Sequence, residues 1–425
     1  MPGGLASSLT GVFLLFILAV LTAFWPLRSV MLFTLLAPFA SVADAVGWDP
    51  RLSWGVLLGV RAVWERVCRG PQRISLAPNA LLAWFLFCLV AGGVLDANTA
   101  GLTGEDTASA LSLFLYFVAG SVFLFAVIQF AVSDHQVTAV VCCFAAAALA
   151  VSLYAAWQAF TTYGAGSADR IGSTLGNPNY LATSLALAST SLLLVARRHR
   201  GRLGTFFLVA AVAALLGTVL TLSRAGITSL LVGWVLAYVT RTGRIEYRKA
   251  FLMLGLAAVI GAAGAGAYLF DYRQQVTFSS DPGRADLATA SQAEEDFTRL
   301  EAALYAVELI GDHPILGSGF GTFAASNYNV NGFYVATHNT WLQLFAGTGA
   351  VGTILLGILL AILARSLRKR GRVLYLPVAG CFLVNSLFGD YLQSIDVLTI
   401  LALMYVFCRR TTDGCPLASA KALEA

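Results

Sequence analysis

Apolar runs, each cut short by a few polar or basic residues, recur along most of this chain. Runs of roughly 17 to 25 apolar residues suffice for a helix to cross a ~30 Å hydrocarbon layer. The pattern predicts twelve such helices: Thr10–Leu27, Val30–Val46, Asn79–Leu95, Ala108–Val132, Gln136–Phe160, Tyr180–Ala196, Leu203–Leu222, Arg224–Thr240, Lys249–Phe270, His338–Ala364, Val373–Phe388 and Ile395–Cys408. Between the second and third, Leu52–Arg69 mixes apolar residues with Arg61, Glu65, Arg66 and Arg69. That mixture predicts an amphipathic helix lying on the membrane surface. The first run has no basic flank and no cleavage site, so it reads as a retained helix.

One long interruption breaks the rhythm and divides the chain into three regions. Residues 1–270 carry nine spans and the surface segment, residues 271–337 form an extramembrane loop domain, and residues 338–425 carry three spans and a short tail. Within the loop, a helix is expected over Glu294–Ile310, with acidic residues in its first turn. Phe297, Leu300, Leu304 and Val307 form an apolar stripe expected to pack on the bundle, with Arg299 off that stripe. Asp312-His313-Pro314 ends the helix.

Composition agrees with this architecture and excludes a soluble domain: 58% of residues are hydrophobic, 12% are charged, and the mean hydropathy is +0.77. The fold class is an all-α polytopic membrane protein. Charge then gives orientation, because loops rich in Lys and Arg stay cytoplasmic. Alternate loops hold 21 of the 27 basic residues, among them Arg51, Arg197, Arg241, Arg365 and Arg409. The other set holds only Arg28, Arg170, Arg224, Arg273, Arg284 and Arg299, which makes it the outer face and both termini cytoplasmic. The net charge of +5 reflects this bias and is no argument for nucleic-acid binding.

Three motifs open apolar runs on that outer face: Asn177-Pro178-Asn179-Tyr180, Ser223-Arg224-Ala225-Gly226 and His338-Asn339. Helix N-termini carry unpaired N–H groups and partial positive charge, so three of them side by side would suit a pyrophosphate. Arginines beside apolar helices are functional candidates, and Arg224 and Arg170 are such residues. The same dipole disfavours a protonated His338, leaving an imidazole able to accept a proton. Gly317, Gly319 and Gly321 alternate through Leu316–Phe323, permitting close backbone approach and offering N–H groups to an anion. No Lys-Ser/Thr follows, so this is not a Walker loop. Metal chemistry finds no ligand set on the outer face, and the seven cysteines lie in spans or cytoplasmic loops, where no outer disulfide is expected.

Four segments taken in order, Gly176–Ala182, Leu222–Gly226, His313–Gly319 and His338–Gln343, resemble the O-antigen ligase and O-antigen polymerase superfamily. The resemblance covers roughly Gly176–Gly352, including the long loop before His338-Asn339. It implies a bacterial inner-membrane glycosyltransferase of the GT-C type that takes a glycan from undecaprenyl pyrophosphate on the periplasmic side, with no metal, cofactor or nucleotide sugar. In the ligase branch the acceptor is lipid A-core and the product is lipopolysaccharide. The family's two arginines and one histidine map onto Arg224, Arg299 and His338 as catalytic residues. Arg170, Asn177, Asn179, Ser223, the three glycines and Asn339 are then the substrate-binding candidates. Within the family a polymerase or a protein O-oligosaccharyltransferase competes with the ligase, and outside it a transporter or flippase does. The scarcity of charge inside the spans, and the absence of a clear repeat, favour surface chemistry over alternating access.

Overall fold

The computed structural model describes residues 3–39, 49–69, 78–98, 103–164, 171–240, 301–331, 336–367 and 369–410. Helices join to short turns throughout these residues, with no strand among them. In chain order they are α1 (Gly3–Phe24), α2 (Pro26–Leu36), α3 (Pro50–Arg69), α4 (Pro78–Asn98), α5 (Gly104–Phe130), α6 (Asp134–Gly164), α7 (Pro178–Ala196), α8 (Gly201–Leu220), α9 (Arg224–Thr240), α10 (residues 301–312), α11 (Phe323–Asn331), α12 (Thr340–Ser366), α13 (Lys369–Ser386) and α14 (Ile395–Arg410).

By length and composition, α4, α5, α6, α7, α8 and α12 can each cross a membrane. Others of the twelve expected spans are shorter or begin with basic residues. α9 and α14 have 17 and 16 residues, and α13 begins with Lys369, Arg370 and Arg372. The expected span Lys249–Phe270 lies outside the described residues.

The first two expected spans are α1 and α2, which meet at Trp25 with no loop between them. Trp25 N–H bonds Leu21 O and Ser29 N–H bonds Trp25 O, while Trp25 itself is non-helical (φ −133°, ψ 62°) beside Pro26, which has no N–H to give. The Thr22 and Ser29 hydroxyls lie 2.8 Å apart, whereas seven residues of straight helix span ~10 Å. The axis therefore bends sharply, and Arg28, expected in an outer loop, sits inside α2 with its guanidinium 6.0 Å from the Trp25 ring centre.

α3 is amphipathic, as its mixture of residues predicts. It packs lengthwise on α5, where Gly55 faces Ala119 and Gly59 faces Val122 so closely that an added Cβ would clash. Arg61 and Glu65 pair with each other, and Glu65 is buried. Val60, Val63, Trp64 and Val67 form the exposed face. An amphipathic helix at a membrane surface likewise presents an apolar face to lipid.

α7 is the most enclosed of the long helices: Leu181 through Val195 are all buried. Thr183 and Thr190 bond back to carbonyls four residues earlier and Ser189 bonds Ala211 O of α8, whereas the buried Ser191 hydroxyl has no hydrogen-bond partner among the described residues. Glycines let neighbours approach, with Gly226 and Gly233 of α9 set against Ala182 and Thr190, and Gly217 of α8 against Leu185. Outside this core, Phe16, Phe85, Leu89, Trp157, Phe160, Leu231 and Ile354 are exposed. So much apolar surface in contact with solvent is untenable in water and ordinary in lipid.

α12 carries a break that explains the glycine-rich turn. Gly349 has φ 60° and ψ −165°, which interrupts the helix ladder and frees backbone groups on both sides. The preceding turn takes them up: Ala350 N–H bonds Pro314 O (2.9 Å), Val351 N–H bonds Ile315 O (3.1 Å), Ser318 N–H bonds Ala346 O (2.8 Å) and Gly319 N–H bonds Gly347 O (3.0 Å). An added Cβ on Gly349 would lie 2.4 Å from Ile315, in a conformation that L residues rarely adopt. Gly349→Ala should therefore cost at least ~2 kcal/mol. Thermal unfolding in detergent measures this, and an unchanged midpoint would show that the turn is not pinned to the break.

Candidate functional site

The three motifs do converge at one end of the bundle. Asn177 caps α7, its Oδ1 accepting from the N–H groups of Asn179 (2.8 Å) and Tyr180 (3.4 Å), with Pro178 at the first helical position. Ser223 caps α9, accepting from Gly226 N–H (3.4 Å), and its hydroxyl donates to Asn179 Oδ1 (3.1 Å). The first two motifs are thereby joined side chain to side chain. Asn339 caps α12, its Oδ1 accepting from Trp341 N–H (3.0 Å) and Leu342 N–H (3.1 Å).

The third motif reaches the others through a segment that sequence reasoning passed over, residues 386–391, at the end of α13 and in the turn leading to α14. Asn339 Nδ2 donates to Leu387 O (3.4 Å), Trp341 Nε1–H to Ser386 Oγ (2.8 Å) and Thr340 Oγ1 to Gly389 O (2.6 Å). Tyr391 N–H donates back to Thr340 Oγ1 (3.1 Å). From the other side, the Tyr180 hydroxyl donates to Asp390 O (2.8 Å), and the Tyr180 and Tyr391 rings meet edge to face at 5.4 Å. One layer deeper, Thr183 Oγ1 donates to Asn385 Oδ1 (3.0 Å) and Asn385 Nδ2 to Ser229 Oγ (2.6 Å), tying α7, α13 and α9 together. Asn385 and Asp390 are buried, and burial pushes the Asp390 carboxyl up to about 7, offset in part by the Leu392 N–H. The signal in the sequence was a carboxylate and an amide at the edge of an apolar span.

A second support comes from Arg51. Its guanidinium forks onto Asp49 (Nε to Oδ1, 2.9 Å; Nη2 to Oδ2, 2.6 Å) and donates to Ala37 O (2.7 Å). The adjacent Pro38 O accepts from Thr174 Oγ1 (2.7 Å), in the turn that leads to Asn177. Arg51 therefore belongs to the motif end, not with the cytoplasmic arginines where charge counting put it.

Backbone strain concentrates at the same place. Among the described residues, the non-glycine positions with positive φ are Ser173 (46°), Leu222 (54°) and His338 (51°), each just ahead of one of the three helix starts. Arg224 and Asn177 are exposed, Asn179, His338 and Asn339 are half-buried, and Ser223 is buried. Arg170 and Arg299 lie outside the described residues, as do Phe297 and Leu300 of the expected stripe.

Two expectations are corrected here. The glycine turn makes a close approach, but to α12: the N–H of Gly319 serves Gly347 O and that of Gly317 serves His313 O, so neither is offered to an anion. Of the stripe on α10, Leu304 and Val307 are exposed, while Ala302, Ala306 and Leu309 pack with Phe323 and Ala346.

A helical bundle with an apolar exterior and polar motifs tied together at one end is a multi-pass membrane protein with a candidate polar site at that end. Residues 209–357 carry a domain matching the O-antigen ligase family, and the resemblance read in the motifs is shown there. The match takes in Ser223-Arg224, the glycine turn and His338-Asn339, and it supports an enzyme of the glycosyltransferase-like ligase or polymerase type. Lipid-linked glycan and lipid A-core are, in general, the substrates this family implies. No curated protein matches the chain.

Proposed function

We propose that this protein is an O-antigen ligase, transferring glycan from undecaprenyl pyrophosphate to lipid A-core at the periplasmic face of the inner membrane. The observation that carries the reading is that a region matching the O-antigen ligase family contains two of three motifs whose helix starts are hydrogen-bonded into one cluster. In this mechanism Arg224 and the N–H groups at the start of α9 receive the pyrophosphate, with Arg299 and Arg170 completing the charge. His338 takes the proton from an acceptor hydroxyl, whose oxygen attacks the anomeric carbon as undecaprenyl pyrophosphate leaves with inversion. Charge builds on the leaving oxygens in a site short of water, where the arginines act most strongly.

Asn177 and Asn339 orient rather than react, since their Oδ1 atoms are engaged in capping. Protein reconstituted in nanodiscs with a lipid-pyrophosphate glycan tests the reading, run with and without lipid A-core. Product that depends on lipid A-core and falls ~10²-fold or more in His338→Ala, the range of general-base catalysis, supports a ligase. Glycan chains that lengthen without lipid A-core make the protein a polymerase.

A further inference from the structure

The turn from α8 to α9 holds a residue that its backbone geometry disfavours. Leu222 has φ 54°, and glycine or asparagine normally occupies a left-handed position after a helix, because a larger side chain crowds the next carbonyl. Core packing does not repay this, since Leu222 is 59% exposed. Its side chain stands two residues before the exposed Arg224. On its other flank it continues an outward stripe on α8 formed by Leu208, Val212, Leu216 and Val219, all exposed, whereas Phe207, Ala211, Ala214 and Thr218 are buried. From Leu208 to Leu222 this track is ~20 Å long, about two-thirds of the depth of a hydrocarbon layer.

We propose that Leu222 and the α8 stripe hold the polyisoprenoid chain of the donor, with Leu222 guiding its first units past the bundle end while the pyrophosphate rests at Arg224. This rests on the donor being a lipid pyrophosphate. Contact with bulk lipid alone needs no leucine at a strained turn, because the lower stripe already supplies it. A chain that must enter the polar end from the side does need an apolar contact beside the guanidinium.

The test compares the wild type with Leu222→Gly and Leu222→Asn, using undecaprenyl and farnesyl pyrophosphate donors that carry one and the same glycan. Both variants suit a left-handed turn, so each should unfold at the wild-type temperature or above it. KM for the undecaprenyl donor should rise roughly tenfold, the worth of one buried leucine side chain, with kcat unchanged. The farnesyl donor keeps the first units and should lose a similar factor, whereas in the wild type its KM should exceed that of the undecaprenyl donor, because it lacks the units that reach the lower stripe. No change in KM with either donor on substituting Leu222, or equal wild-type KM for the two donors, overturns the proposal. A wild type that uses neither donor removes the lipid-pyrophosphate reading and this inference with it, an outcome distinct from a wild type that transfers but does not sense Leu222.

Discussion

Arg224→Ala should reduce glycan transfer by about two to three orders of magnitude while leaving the fold intact. Arg224 is exposed at the N-terminus of α9, where the helix dipole already carries partial positive charge. A cation there is electrostatically unfavourable and does nothing for the helix. Its removal should shift stability by no more than ~0.5 kcal/mol, in either direction. An exposed arginine beside a helix N-terminus at the motif end suits an anionic ligand. Arg224→Lys should fall between, since it keeps the charge and loses the planar fork that grips two phosphate oxygens. Transfer assays alongside thermal unfolding decide this. A fall below about threefold, against the expected loss, would remove Arg224 from the reaction, and a large drop in midpoint would make its role structural.

The sequence made the helices legible more readily than their faces. Arg224–Thr240 was read to the residue, and α7, expected over Tyr180–Ala196, runs Pro178–Ala196. A long apolar run is a direct statement about backbone satisfaction in lipid, so its existence is easily read. Which side of a helix is buried is another matter, because lipid is as apolar as a protein core. Leu304 and Val307 look like a packing stripe, yet Ala302 and Ala306 are what α10 buries, since small residues let elements approach most closely.

The candidate site was half legible. Asn177, Ser223 and Asn339 announce helix starts through local capping chemistry, and all three cap as their types suggest. The strut across residues 386–391 depends on partners 45 or more positions away, such as Thr340 with Gly389 and Tyr180 with Asp390. Contacts that distant leave no spacing to read. Nor did the break at Gly349 stand out, since one glycine in an apolar run is compatible with a continuous helix.

That strut makes a pH dependence the second large effect to expect. The Asp390 carboxyl sits near 4 in the unfolded chain and about 7 in the folded protein, raised by burial. Between those values the folded protein keeps a proton that the unfolded chain has released, so stability falls as pH rises through that window and levels off above it. The full gap corresponds to ~4 kcal/mol at most. Asp390→Asn keeps the shape and stays neutral, so its unfolding midpoint should exceed that of the wild type most at pH 8, by less at pH 5, and meet it only below about pH 4. Because Asp390 O receives the Tyr180 hydroxyl while its neighbours Gly389 and Tyr391 bond Thr340, ionisation loosens the piece that joins the starts of α7 and α12. Transfer by the wild type should therefore decline above pH 7 more steeply than transfer by Asp390→Asn. Unfolding curves for the two proteins that run parallel from pH 5 to 8 would show that Asp390 does not carry the buried proton, and the strut would then hold equally well at any pH in that range.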